Sequence, residues 1–315
     1  MNKAFNDFVR RFFRTYRNGP VRIGHSFIRR MLDPIIGRNQ EIQLRSGLKL
    51  FLDMSKGNQN AIFWHDGDVD IHQYSAIREL VPLGGLFVDC GANCGLMGLL
   101  ARQYRQADVI FFEPHPRLAE SIRTNIRLNG FSDGCEVVEA AVSDAVGEIT
   151  FYENSLSDGS HSVHQGWGQE LYGTMNSLGK VRCVTLKDFI EKKNLAGIDF
   201  LKIDTEGNDC AVLKGMGQYL QPLFVKIAYV EMAKDRQLIC DLMRSKGYIA
   251  FASTPMKRRR LVQCQQRYER GETPCFFEPL DETRPYSGDV LWCGKNSPVA
   301  DRLSELHRTA AMRPA

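Results

Sequence analysis

Leu86-Phe-Val-Asp-Cys-Gly-Ala-Asn-Cys-Gly95, joined through a short segment to Val109-Ile-Phe-Phe-Glu-Pro114, decides how this chain folds. Leu86 to Val88 read as a buried strand. Gly91 and Gly95 bracket a turn, because glycine bends sharply and lets a ligand approach with no Cβ in the way. The next segment, Leu96 to Tyr104, reads as a helix, and its N-terminus offers free N–H groups and a partial positive charge. A second apolar run then ends in Glu113, beside the turn, where a carboxylate accepts hydrogen bonds from two ribose hydroxyls. Strand, glycine turn, helix, strand and acid form the layout of a nucleoside site at the carboxyl edge of a parallel sheet.

The glycine spacing is G-x-x-x-G, so the dinucleotide fingerprint G-x-G-x-x-G is missing, and so is the P-loop pattern. Asp89 precedes the first glycine. An acid there repels pyrophosphate and attracts a cationic ligand, such as a sulfonium carrying a free α-amino group. That favours S-adenosylmethionine over NAD or ATP.

The run Val88-Asp-Cys-Gly-Ala-Asn-Cys-Gly95 resembles the D-x-G-A-N-x-G motif of FkbM-type S-adenosylmethionine-dependent methyltransferases. Phe112-Glu-Pro-His-Pro116 is similar to that family's E-P-x-P, Ala140-Ala-Val-Ser-Asp144 to its A-x-S-D step, and Ile198 to Gly207 to its K-x-D-x-E-G strand. The resemblance covers about residues 84–231. It implies a Rossmann-like class I α/β fold, a mostly parallel seven-stranded sheet with helices on both faces. It also implies a class of reaction: family members of known role are mostly O-methyltransferases of natural products or sugars.

Composition fits a globular protein, with 43% hydrophobic and 25% charged residues among 315. No apolar run approaches the length of a membrane span, and the first residues lack a secretory core. A cytoplasmic enzyme is expected, with a peripheral position at the inner face of the membrane as its variant. The nine cysteines are scattered, with no C-x-x-C pair, and read as reduced core residues. Net charge is +4, but residues 1–38 hold nine Lys/Arg and two acids, so they carry +7 and the remainder −3.

Residues 1–40 read as a basic amphipathic segment. Over 4–17, Phe5, Phe8, Phe12, Phe13 and Tyr16 fall on one side of a helix and Arg10, Arg11, Arg14 and Arg17 occupy much of the rest. Such a helix caps the domain, forms a dimer face, or touches an anionic membrane. Nucleic acid is not expected, because the aromatics form one face instead of alternating with charge. Residues 41–83 read as a hairpin around Ser46-Gly47 and a helix over 70–82. The methyltransferase domain spans 84–297, alternating strands and helices. Two excursions interrupt it, at 145–186 and 254–288. The first holds strands at 147–153 and 181–186 around a polar loop, Ser155 to Lys180. The second contains Lys257-Arg-Arg-Arg260. Residues 298–315 form a tail.

Methyl transfer needs alignment, exclusion of water and, for a hydroxyl acceptor, removal of a proton. Candidates stand at strand ends. Asp204 ends one strand, nearest the cofactor's amino-acid end and methyl group. Glu231 ends the next, and His161 lies in the long loop; either one is a candidate to deprotonate the acceptor. By position, Asp89 meets the cofactor's amino group, Gly91 and Asn93 its methionine portion, with Gly95 closing the turn. Glu113 holds the ribose, Pro114 and His115 border the adenine, and Ala141 and Ser143 touch its edge. Asp204, Glu206 and Asp209 are a minority Mg²⁺ set; no metal is expected. The fourth strand reads D-T-E-G and lacks D/N-P-P-Y/F, which argues against a methyltransferase of nucleic-acid base amino groups. The expected acceptor is a small molecule or glycan. A nitrogen or protein acceptor, or a non-catalytic binding module, are the competing readings, and oligomeric state is open.

Overall fold

The computed structural model describes residues 5–10, 12, 31–33, 35–55, 57–67, 70–167, 173–253, 277–281, 286 and 288–311. Lys257 to Arg260, Phe13 and Tyr16 lie outside them.

The hairpin forms as expected: β1 (Asn39–Gln43) pairs antiparallel with β2 (Lys49–Asp53). Two helices follow, α1 (Gly57–His65) and α2 (Ile71–Leu80). Asp70 caps α2 by accepting from the N–H groups of His72 and Gln73. Then come β3 (Leu86–Cys90), α3 (Leu96–Arg105), β4 (Asp108–Phe112), α4 (Pro116–Asn129) and β5 (Cys135–Val138). A separate small sheet holds β6 (Ala141–Val142), β7 (Gly147–Asn154) and β8 (Met175–Val184), in the order β6-β8-β7. The alternation resumes with α5 (Leu186–Lys193), β9 (Phe200–Ile203), α6 (Asp209–Lys214), β10 (Ile227–Glu231), α7 (Arg236–Ser245) and β11 (Tyr248–Ser253). Last are β12 (Phe277–Pro279), β13 (Asp289–Gly294) and α8 (Pro298–Ala311).

The main sheet runs β12-β11-β13-β10-β9-β3-β4-β5. Pairs from β10 through β5 are parallel, and β13 runs antiparallel to both its neighbours. This is the α/β sheet that the alternation implies and the Rossmann-like one that the family resemblance implies. Each strand alternates its faces. Phe87, Val109, Phe111, Phe200, Tyr229 and Leu291 pack beneath α2, α3 and α4; Val88, Ile110, Leu201, Ala228 and Val290 pack beneath α5, α6 and α7. Burial on both faces explains why these strands read as continuous apolar runs. β3 has β4 on one side and β9 on the other, so chain order reverses there and opens a crevice at the strand ends.

The sheet has eight strands, not the expected seven, because Phe277-Glu-Pro279 of the second excursion adds an edge strand. Three residues ending in proline carry no alternation to read. The polar loop is shorter than expected: its last part, Met175 to Lys180, is strand. Its side chains are mostly exposed, so no apolar period marked it.

Gly91 is where the chain is least forgiving. Its φ is +79°, and a Cβ there would lie 1.9 Å from the Asp204 carbonyl oxygen. Gly91→Ala is therefore expected to cost about 2–3 kcal/mol, seen as a lowered urea midpoint.

Candidate active site

The turn after β3 faces a cavity of about 1090 Å³ at the carboxyl ends of β3, β4, β9 and β10. Gly91, Asn93, Glu113, Pro114, Ala141, Asp204, His161 and Glu231 all line it. Asp89, Gly95 and Ser143 do not. Asp89 is buried beneath the turn, 3.2 Å from the Lys202 ammonium, which also donates to the Gly91 carbonyl at 3.3 Å and lies 3.4 Å from Asp204. Asp89 thus holds the lysine that holds the turn, instead of reaching a ligand. Gly95 gives room to Ile122 of α4, and Ser143 ties β6 to β8 through its N–H to the Val184 carbonyl.

Glu113 is buried, and its two oxygens accept from the N–H groups of His115 (2.9 Å) and Asn93 (2.8 Å). One carboxylate therefore joins the glycine turn to the start of α4. Burial pushes its pKa up to about 8 against those two bonds.

The roof comes from the first excursion. Asp158 accepts from the Asn58 N–H and the Gln59 side chain, both at 2.8 Å, which pins it to the start of α1. The Asn93 side chain donates to the Asp158 carbonyl at 2.7 Å. Further along, the Ser162 hydroxyl donates to the Glu206 carbonyl at 2.7 Å, and the Trp167 indole donates to the Glu206 carboxylate at 2.6 Å. The indole lies on Gly207, where a Cβ would meet its ring at 2.8 Å. Asp158 and Trp167 carry the roof, yet sequence patterning did not single them out for this. The D-T-E-G glycine, at φ +93°, was the available signal.

His161 stands on the other wall. Its Nδ1 accepts from the Asn154 N–H at 2.9 Å, and its ring stacks on His115 with centroids 5.1 Å apart. His115 Nδ1 likewise accepts from the Arg117 N–H. With those bonds made, each neutral ring carries its proton on Nε2. That speaks against His161 as a proton acceptor. It also speaks against metal binding by the close set His115, Glu153 and His161.

Asp204, Glu206 and Glu231 form a second close set, their oxygens within 4.8 Å of one another. Their geometry also suits a divalent cation. Burial, then the Asp204 charge, pushes Glu206 up to about 8 and Glu231 up to about 10. A raised carboxyl stays protonated when folded while its unfolded counterpart ionises. Its stabilising effect is present at low pH and lost as pH rises through the folded value. The unfolding temperature of the cofactor-free chain should therefore fall between about pH 5 and about pH 10, and Glu231→Gln should flatten that fall.

The seven described cysteines are free thiols. Burial raises Cys90 above the usual thiol range and Cys94 up to about 12, which leaves both unreactive near neutral pH.

Sheet order, glycine turn and strand-end acids define a Rossmann-like methyltransferase fold. Residues 89–250, just over half of the sequence, match the family model of the FkbM methyltransferase domain, and the chain belongs to that family. It is 28% identical over 195 residues to methyltransferase sdnD of Sordaria araneosa, covering 53% of this chain and 75% of that one. It is 26% identical over 189 residues to methyltransferase 1 of Beauveria bassiana, covering 55% and 76%. Among solved structures, TYW2 of M. jannaschii in complex with AdoMet aligns with a TM-score of 0.39 and 11% identity, over 81% of this chain and 84% of that one. At that score it adds nothing to the assignment, which rests on the family match.

Proposed function

We propose that this methyltransferase takes S-adenosylmethionine at Gly91, Asn93 and Glu113 and methylates a hydroxyl of a small molecule or glycan: a sugar, lipid-linked saccharide or secondary metabolite. One observation carries this reading: Asp204, Glu206 and Glu231 open on the same cavity as the glycine turn and Glu113. A nucleoside the size of the cofactor leaves part of that volume for an acceptor. Bound there, S-adenosylmethionine supplies an activated methyl group.

The residues divide the remaining work. Glu113 accepts from the ribose hydroxyls while keeping the turn in place. Pro114 and Ala141 flank the base, with His161 on the wall beyond. Glu231, pushed up to about 10, keeps its proton at neutral pH and donates a hydrogen bond that orients the acceptor. Asp204, beside the Lys202 ammonium, takes the acceptor's proton as the O–CH₃ bond forms. Lys202 remains a cation despite its burial, because Asp89 and Asp204 flank it.

The test is transfer of labelled methyl from S-adenosylmethionine to a panel of sugars and hydroxylated metabolites, with the product bond identified. An ether product supports the reading. Label found only on nitrogen overturns it.

The enzyme is proposed to work in the cytoplasm. No helix among the described residues is long and apolar enough to cross a membrane.

A further inference from the structure

We propose that the N-terminal segment docks the enzyme on an anionic phospholipid surface through the face that carries Phe5 and Phe8. The sequence led to the expectation of a helix, and residues 5–10 are helical. Which side meets the domain decides what the other side is for.

The inward side is polar. The Arg10 guanidinium is 4% exposed, donates to Asp66 and to the Gln43 carbonyl, and lies 5.6 Å over the Phe63 ring. Asn6 donates to the Gln40 side chain at 2.5 Å, and Val9 is buried beside them. This clamp leaves the described aromatics outward: Phe5 is 40% exposed, Phe8 65% and Phe12 49%. Phe8 and Phe12 stack on each other with ring centroids 6.3 Å apart. Met31 and Ile35, at 59% and 49%, add to the exposed apolar surface of the same segment. These five make up a large share of the exposed large hydrophobics among the described residues, concentrated near one end of the chain.

Charge selects the occupant. Residues 1–38 carry +7, of which +6 remains once the buried Arg10 is set aside, and the remainder of the chain −3. Pairing this face with a second copy would bring two such segments together at a repulsive cost, whereas an anionic bilayer complements both the rings and the charge. The clamp also gives the docking a use. α1 carries Phe63 near its C-terminal end, with Asp66 just beyond, while Gly57 and Asn58 at its start line the methyl-transfer cavity. A nine-residue helix is about 14 Å long, so the clamp beneath the docked face lies about one short helix away from the site.

Flotation of the full chain with phosphatidylcholine vesicles, with and without about one-third phosphatidylserine, tests this independently of turnover. The native chain should float with the anionic vesicles and partition at least about tenfold less onto neutral ones. Phe5→Ser/Phe8→Ser should lower the anionic partition at least about tenfold. Its unfolding temperature and S-adenosylmethionine affinity should be unchanged, which separates lost docking from misfolding and from failure of the methyl-transfer reading. A native chain that stays with the unbound fraction overturns the proposal, as does a double variant that floats equally well. Dimerisation that the double variant abolishes, without flotation, assigns the face to a second copy and overturns it too.

Discussion

Glu113→Ala is expected to weaken S-adenosylmethionine binding by roughly 100- to 1000-fold while leaving the chain folded. The carboxylate already accepts from the Asn93 and His115 N–H groups, so its two oxygens are fixed before any ligand arrives. Each oxygen has a further lone pair to offer a ribose hydroxyl, and leaving a buried hydrogen-bonding partner unsatisfied costs about 1–3 kcal/mol. Alanine removes both bonds and frees the Asn93 side of the turn. Glutamine is expected to rescue little, because its amide nitrogen would face an N–H donor. Calorimetry on both variants, with unfolding temperature as the control, checks this. Native-like affinity in Glu113→Ala would remove the ribose role.

Asp204→Asn is expected to lower kcat by roughly 100- to 10,000-fold, with a smaller change in cofactor affinity. Asparagine keeps the shape and still offers Lys202 an oxygen, but it cannot take a proton. Glu231→Gln should cost about tenfold or less, since an amide can still donate the hydrogen bond assigned to the protonated acid. The contrast between the two is the informative quantity. Were Glu231→Gln the more damaging, the proton acceptor would be Glu231 and Asp204 a positioning group. Single-turnover rates separate these outcomes from slow product release.

The core of the fold was legible in the sequence because its signals are local. Two apolar runs, a glycine turn and a strand-end acid placed β3, β4 and the crevice, and burial on both faces kept the strands apolar enough to read. Legibility failed where packing is not periodic. α1, Gly-Asn-Gln-Asn-Ala-Ile-Phe-Trp-His, has no apolar stripe, yet its start supports the roof through Asp158. The N-terminal helix shows the opposite failure. Its stripe was visible, but a single buried arginine paired with Asp66 leaves Phe5 and Phe8 facing out. Long-range ion pairs leave no trace in spacing.

The same holds within the site. Gly91, Asn93, Glu113, Pro114, Ala141, Asp204 and Glu231 stand at the cavity because strand ends must face the switch point. Asp89 was expected to meet the cofactor's amino group, but it is buried outside the cavity lining against Lys202, 113 positions away. His161 reached the cavity wall, yet its hydrogen bond to the Asn154 backbone, unreadable from sequence, removes its free lone pair.

Titrating S-adenosylmethionine into the native chain tests most directly whether the cavity is a methyl-donor site. Saturable one-to-one binding at roughly micromolar concentration is expected, lost in Glu113→Ala. A well-folded native chain that takes up no heat from the cofactor would contradict the assignment of this cavity and, with it, the roles given to Glu113, Asp204 and Glu231.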